Sequence, residues 1–80
     1  MTAANLSTPG EYITVIRARE ALTRSPIAAM REIIVESNTT GIVLRGQVSL
    51  FYYKQLAQEL VRKEIEDAPL FNRIEVVHLE

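Results

Sequence analysis

Apolar residues recur every three or four positions in two stretches of the chain, and each stretch predicts an amphipathic helix. The first helix is expected to begin with Thr8 as its N-cap and to end near Arg24, before Ser25-Pro26. The second is expected to begin after Ser49, a competent N-cap, and to stop at Asp67-Ala68-Pro69. Their core-facing positions are Tyr12, Val15, Ala18 and Leu22 in the first helix and Tyr53, Leu56, Ala57, Leu60 and Val61 in the second.

Between and after these helices the pattern changes to short runs rich in β-branched residues, which are typical of strands. Residues 32–36 are expected to form a first strand and residues 41–48 a second, joined by a turn over residues 37–40. A third strand is expected over residues 73–78. In the second strand the core face is expected to carry Ile42, Leu44 and Val48.

The order helix, strand, strand, helix, strand predicts a two-layer fold. The hairpin makes the first two strands antiparallel, and the crossover through the second helix makes the third strand parallel to the second. We therefore expect an α+β fold, an αββαβ sandwich whose three-stranded mixed sheet carries two helices on one face. The sequence leaves open whether the third strand lies beside the second or the first. One domain should span residues 1–80, with a flexible N-terminus over 1–8 and a tag remnant at 79–80.

Gly46 interrupts the otherwise well-formed second strand. A glycine within a strand commonly marks a bulge or the close approach of another backbone. We interpret Gly46 as a structural glycine that lets a helix approach the sheet.

Composition excludes some classes of function but does not identify one. Nine Lys and Arg against ten Asp and Glu give a net charge of −1, so no global attraction to nucleic acid is expected. The chain has no Cys, and its single His is His78, so a catalytic site, a metal site and a cofactor site are not expected. The acidic residues Glu64, Glu66 and Asp67 are interpreted as a solvated cluster at a helix end. We expect a protein that is not an enzyme.

Two surfaces are candidates for binding. Phe51 and Tyr52 fall off the apolar stripe of the second helix, and with Lys54 they suit a membrane interface or a partner's groove. The alternative is that Phe51 closes the end of the sheet near Phe71 while Tyr52 lies flat on the surface. The other candidate is the sheet face away from the helices, which suits a protein partner or weak homo-oligomerisation. Its expected members are Ile34, Val43, Arg45, Gln47 and Val77.

The element order and the pattern Ile-x-Leu-x-Gly-x-Val before the second helix resemble the BON domain, named for bacterial osmotic-shock and nodulation proteins. The residues that carry the resemblance are Leu22, Val35, Ile42, Leu44, Gly46, Val48, Ala57, Ile74 and Val76. The resemblance implies a non-catalytic module that associates with phospholipid, in an envelope or stress-related setting. The first residues lack the basic and apolar regions of a signal peptide, so a cytoplasmic location is expected as sequenced. A periplasmic or envelope location is expected if the chain is one domain of a longer protein.

Overall fold

The computed structural model describes residues 9–66 and 68–77 and has the predicted α+β architecture. Its sheet has the order β1-β2-β3, with β2 antiparallel to β1 and parallel to β3, so the third strand lies beside the second. Helices pack against this mixed sheet, which confirms the predicted fold class. The elements are α1 (Pro9–Thr23), α2 (Ala28–Arg31), β1 (Ile34–Asn38), β2 (Gly41–Val48), α3 (Phe51–Glu64) and β3 (Leu70–Val76).

The core lies between the sheet and the helices, and the apolar periodicity located most of it correctly. Every buried side chain among the described residues is apolar. Val15, Tyr53, Leu56 and Leu60 pack against this core from its border. Its members are Ala18, Leu22, Met30, Ile33, Val35, Ile42, Leu44, Val48, Ala57, Val61, Ile65 and Ile74.

The first strand and the turn of the hairpin both begin later in the sequence than predicted. β1 continues to Asn38, and the turn shrinks to Thr39 and Thr40. The side chain of Asn38 explains this, because its Oδ1 accepts hydrogen bonds from the backbone N–H groups of Thr40 at 2.8 Å and Gly41 at 3.1 Å. An Asn side chain that bonds to the next residues of its own chain fixes a tight turn.

β3 also begins earlier than predicted, at Leu70 rather than Arg73. The Pro69 carbonyl accepts a hydrogen bond from the N–H of Ile42 at 2.9 Å, and the parallel register starts with Ile42 beside Leu70. Pairing with β2 therefore extends β3 towards Pro69, a long-range effect that local strand propensity does not report.

Two local predictions about α3 and Gly46 are wrong in detail. The N-cap of α3 is Leu50, in an extended conformation with no side-chain capping bond, so Ser49 does not cap the helix. Gly46 has φ +141° and no bulge, since the register with β3 runs unbroken from Ile42 to Val48. The backbone nearest to the Cβ position of Gly46 is the Ile33 Cα at 3.7 Å, in the segment between α2 and β1 rather than in a helix.

Several predictions concern residues that lie outside the described part of the chain. They are the cap at Thr8, the core position of the Tyr12 side chain, the acidic residue Asp67, and the terminal segments 1–8 and 78–80. The short helix α2 was not predicted, and it contributes the fully buried Met30 to the core.

Candidate binding surfaces

Three consecutive large apolar residues project into solvent where α3 begins. Leu50, Phe51 and Tyr52 are 51%, 59% and 60% exposed, and together we call them the α3 patch. The Tyr52 ring lies 5.9 Å from the ring of Tyr53, which is half-buried at the border of the core. Lys54, predicted beside the two aromatic residues, is also half-buried. Tyr52 therefore lies against a residue at the border of the core, while all three side chains of the α3 patch are more than half exposed.

The position of the α3 patch follows from the chain path. β2 ends at Val48 beside Val76 of β3, and α3 starts three residues later. The patch consequently lies at the end of the sheet where both parallel strands finish. Phe71 pairs with Val43 towards the opposite end of β2, and Phe51 is 59% exposed. Neither observation favours the alternative that Phe51 covers the end of the sheet near Phe71.

Leu50 is not among the predicted surface residues, because an N-cap at Ser49 places Leu50 inside the helix. The sequence nevertheless held a signal. Three successive residues of a helix span about 200° around its axis, so Leu50, Phe51 and Tyr52 cannot all face one core.

The sheet face away from the helices, here called the open face, carries the second predicted surface. Ile34, Arg45 and Gln47 are exposed on it, and Val77 is half-buried just beyond β3. Val43 is a correction, because it lies on this face but is only 5% exposed. It occupies the central strand, between its register partners Glu36 and Phe71.

Phe71 is an open-face residue that the sequence analysis did not assign to this surface, and it is 38% exposed. A third strand that starts at Arg73 leaves Phe71 in the loop before it. Because the pairing with β2 starts at Pro69, Phe71 belongs to β3 and the face on which it lies is defined. The alternation of β3 then puts Phe71, Arg73 and Glu75 on the open face.

Charged side chains border the apolar positions of the open face. The Arg45 Nε donates to Glu36 Oε1 at 2.6 Å across β1 and β2. The Gln47 side-chain amide donates to Glu75 at 3.3 Å across β2 and β3. Arg73 lies directly beside Arg45 in the register. Ile34 shares its row of the register with Arg45 and Arg73. Val43 and Phe71 share the next row with Glu36. Charged side chains therefore lie among the apolar ones of the open face as well as around them.

A groove of about 480 Å³ lies at the hairpin end of the sheet. Its floor includes the buried Ile42 and Ile65, and its walls include the side chains of Arg17, Ser37 and Glu66. The described residues contain no group of three or more His, Cys, Asp or Glu placed to hold a metal ion.

Comparisons with known protein families, with curated proteins and with solved structures find no match for this chain. In the described part of the chain, no helix has the length and apolar character needed to cross a bilayer.

Proposed function

We propose that this protein is a non-catalytic binding module that associates with the surface of a phospholipid membrane through the α3 patch. The observation that carries the proposal is the exposure of three consecutive large apolar side chains at the start of α3. The resemblance to BON domains supports the same class of ligand, and it gives the proposal an envelope or stress-related setting.

The chemistry of the α3 patch fits a bilayer interface. Leucine and aromatic side chains gain free energy when they enter the boundary between headgroups and acyl chains, and tyrosine keeps its hydroxyl in the wet layer. The first turn of α3 holds no acidic residue, and its N–H groups carry the positive end of the helix dipole. Lys54 follows in the same turn. These features favour an anionic headgroup beside the inserted side chains.

Co-sedimentation with vesicles tests this proposal. Vesicles of phosphatidylcholine and phosphatidylglycerol should pellet the wild-type protein, and Phe51→Ser with Tyr52→Ser should lower the bound fraction by about tenfold or more. The matched control is Ile34→Ser with Phe71→Ser, which also removes two exposed apolar side chains but from the open face. Equal loss in the two double variants, or no binding by the wild type, would contradict the proposal.

A second candidate function is protein binding through the open face, self-association included. The observation that favours it is the exposure of Ile34 and Phe71, 55% and 38%, on the same face of the sheet. Amide spectra of the protein at increasing concentration would show shifts along β1 and β2 if this face self-associates. Ile34→Lys should abolish those shifts, and spectra that ignore both concentration and Ile34→Lys would exclude the self-association version.

A further inference from the structure

The outer edge of β3 presents backbone groups that no second strand of residues 9–66 or 68–77 covers, because β3 is the last strand of the described sheet. The N–H of Val77 donates to Val48 at 2.8 Å, and the carbonyl of Pro69 accepts from Ile42. Backbone groups alternate in direction along a strand, so the odd-numbered residues of β3 face β2. Asn72, Ile74 and Val76 therefore direct their N–H and C=O groups outward.

A side chain already occupies the central amide of this edge. Asn72 Oδ1 accepts a hydrogen bond from the N–H of Ile74 at 3.2 Å. The Asn72 amide nitrogen is itself anchored to α3, because it donates to the Lys54 carbonyl at 2.9 Å and to Gln58 Oε1 at 3.1 Å. Side chains that cover edge strands prevent pairing with other chains. We call the bond between Asn72 and Ile74 the edge lock.

The sequence of β3 is complementary to itself in one antiparallel register. If two copies of β3 pair with Ile74 opposite Ile74, Arg73 of each copy faces Glu75 of the other on the open face. In the same register Phe71 faces Val77. Ile74 would then exchange hydrogen bonds with its equivalent through the groups that point outward.

Of the charged residues in β3, Arg73 would gain the most electrostatic stabilisation from such pairing. It lies beside Arg45 in the register, and like charges placed opposite each other on a sheet repel. Arg45 is compensated by Glu36. Arg73 has no ion-pair partner among the described residues. A carboxylate from a second copy would supply one.

We propose that the outer edge of β3 is a strand-pairing interface for a second copy of this chain, and that the edge lock of Asn72 holds it closed. Dimerisation joins the two sheets into one of six strands, and Asn72 must release Ile74 before the strands pair. This proposal does not depend on membrane binding by the α3 patch or on contacts across the open face.

Sedimentation equilibrium of the full chain carrying Asn72→Val tests the edge lock. The substitution removes the acceptor of the Ile74 N–H, and valine favours the strand conformation. Each lock is one neutral hydrogen bond, worth about two- to tenfold in an equilibrium constant, and two are lost per dimer. We expect the dimer dissociation constant to fall by roughly tenfold relative to wild type. Amide hydrogen exchange at Ile74 should slow as the dimer forms. A folded Asn72→Val variant that remains monomeric at every concentration would overturn the proposal.

Charge reversal tests the register. In the Asn72→Val background, Arg73→Glu places carboxylates opposite each other at both ends of the pair and should restore the monomer. Adding Glu75→Arg should recover the dimer. Persistence of the dimer after Arg73→Glu would overturn the proposed pairing. As a control, Ile34→Lys on the open face should leave the dimer dissociation constant unchanged. If Asn72→Val does not fold, Gln58→Ala releases one anchor of Asn72 without altering β3, and failure of this variant to tighten dimerisation would overturn the proposal.

Discussion

Gly41 lies directly against Pro69, so closely that a Cβ on Gly41 would be 2.5 Å from the Pro69 carbonyl oxygen. The same carbonyl accepts the hydrogen bond from Ile42 that begins the parallel pairing of β2 with β3. This contact therefore brings together the start of both strands, and it sets the register that places Phe71, Arg73 and Glu75 on the open face.

Gly41→Ala is expected to destabilise the protein by roughly 2–3 kcal/mol. Two effects add: the φ of Gly41 is +148°, which residues with a side chain rarely adopt, and the new methyl group collides with the backbone of Pro69. Urea unfolding followed by circular dichroism measures the change in the free energy of unfolding.

Gly46→Ala is the matched control for that experiment. Gly46 has a similar φ of +141°, but its nearest neighbour would be 3.7 Å from the new Cβ, an ordinary contact. Only the conformational strain then remains, so the loss should be about 1 kcal/mol smaller than for Gly41→Ala. Equal losses at the two glycines would show that the contact with Pro69 carries no cost.

The contrast between these glycines shows where sequence reasoning succeeded and where it failed. Gly46 was singled out in the sequence, since a glycine that interrupts alternating apolar residues is visible there. Gly41 was not, because the constraint on it comes from Pro69, which is distant in sequence. Periodicity reports which face of an element is buried, but it does not report which backbones meet.

Met30→Ala is expected to cost about 2–4 kcal/mol of stability. Met30 is fully buried although α2 has only four residues, and truncation would leave a cavity in the core beside the two long helices. Ile34→Ala serves as the comparison, because Ile34 is exposed and should lose less than about 1 kcal/mol. Thermal unfolding of the two variants distinguishes them, and a similar loss in both would contradict the assignment of Met30 to the core.

The pair Glu36 and Arg45 should contribute little stability despite its distance of 2.6 Å. Both side chains are about half exposed, and ion pairs in water contribute about 0–1 kcal/mol. A double-mutant cycle with Glu36→Gln and Arg45→Gln measures the coupling directly. We expect a coupling energy below about 1 kcal/mol that decreases further in 0.5 M salt. A larger coupling that is insensitive to salt would indicate that the open face is shielded from water.

The binding surfaces were predicted less completely than the fold. Phe51 and Tyr52 were found because they break the helical stripe, which is a local property. Val43 was assigned to an exposed surface because alternation gives the face of a residue but not the size of its neighbours on adjacent strands. Leu50 was missed because the choice between Ser49 and Leu50 as N-cap depends on where β2 releases the chain.

Leu50→Asn should increase stability while it weakens vesicle binding. Leu50 has the extended conformation of an N-cap, with φ −134° and ψ 141°, but it provides no side-chain capping bond. An Asn side chain there can accept a hydrogen bond from the N–H of Tyr52, because the N–H of Tyr53 already donates to the Leu50 carbonyl at 3.0 Å. Such a capping bond stabilises a helix by about 0.5–1 kcal/mol. The substitution also removes one apolar member of the α3 patch without introducing a charge that would repel anionic lipid.

The opposite signs of these two effects make Leu50→Asn a stringent test. Lost vesicle binding could not be attributed to unfolding if the variant is the more stable protein in urea. Ser49→Ala is the control, and we expect it to change neither property by more than about 0.5 kcal/mol because Ser49 does not cap α3. If Ser49→Ala destabilises the protein and Leu50→Asn does not stabilise it, the helix begins one residue earlier and the α3 patch loses Leu50 as an exposed member.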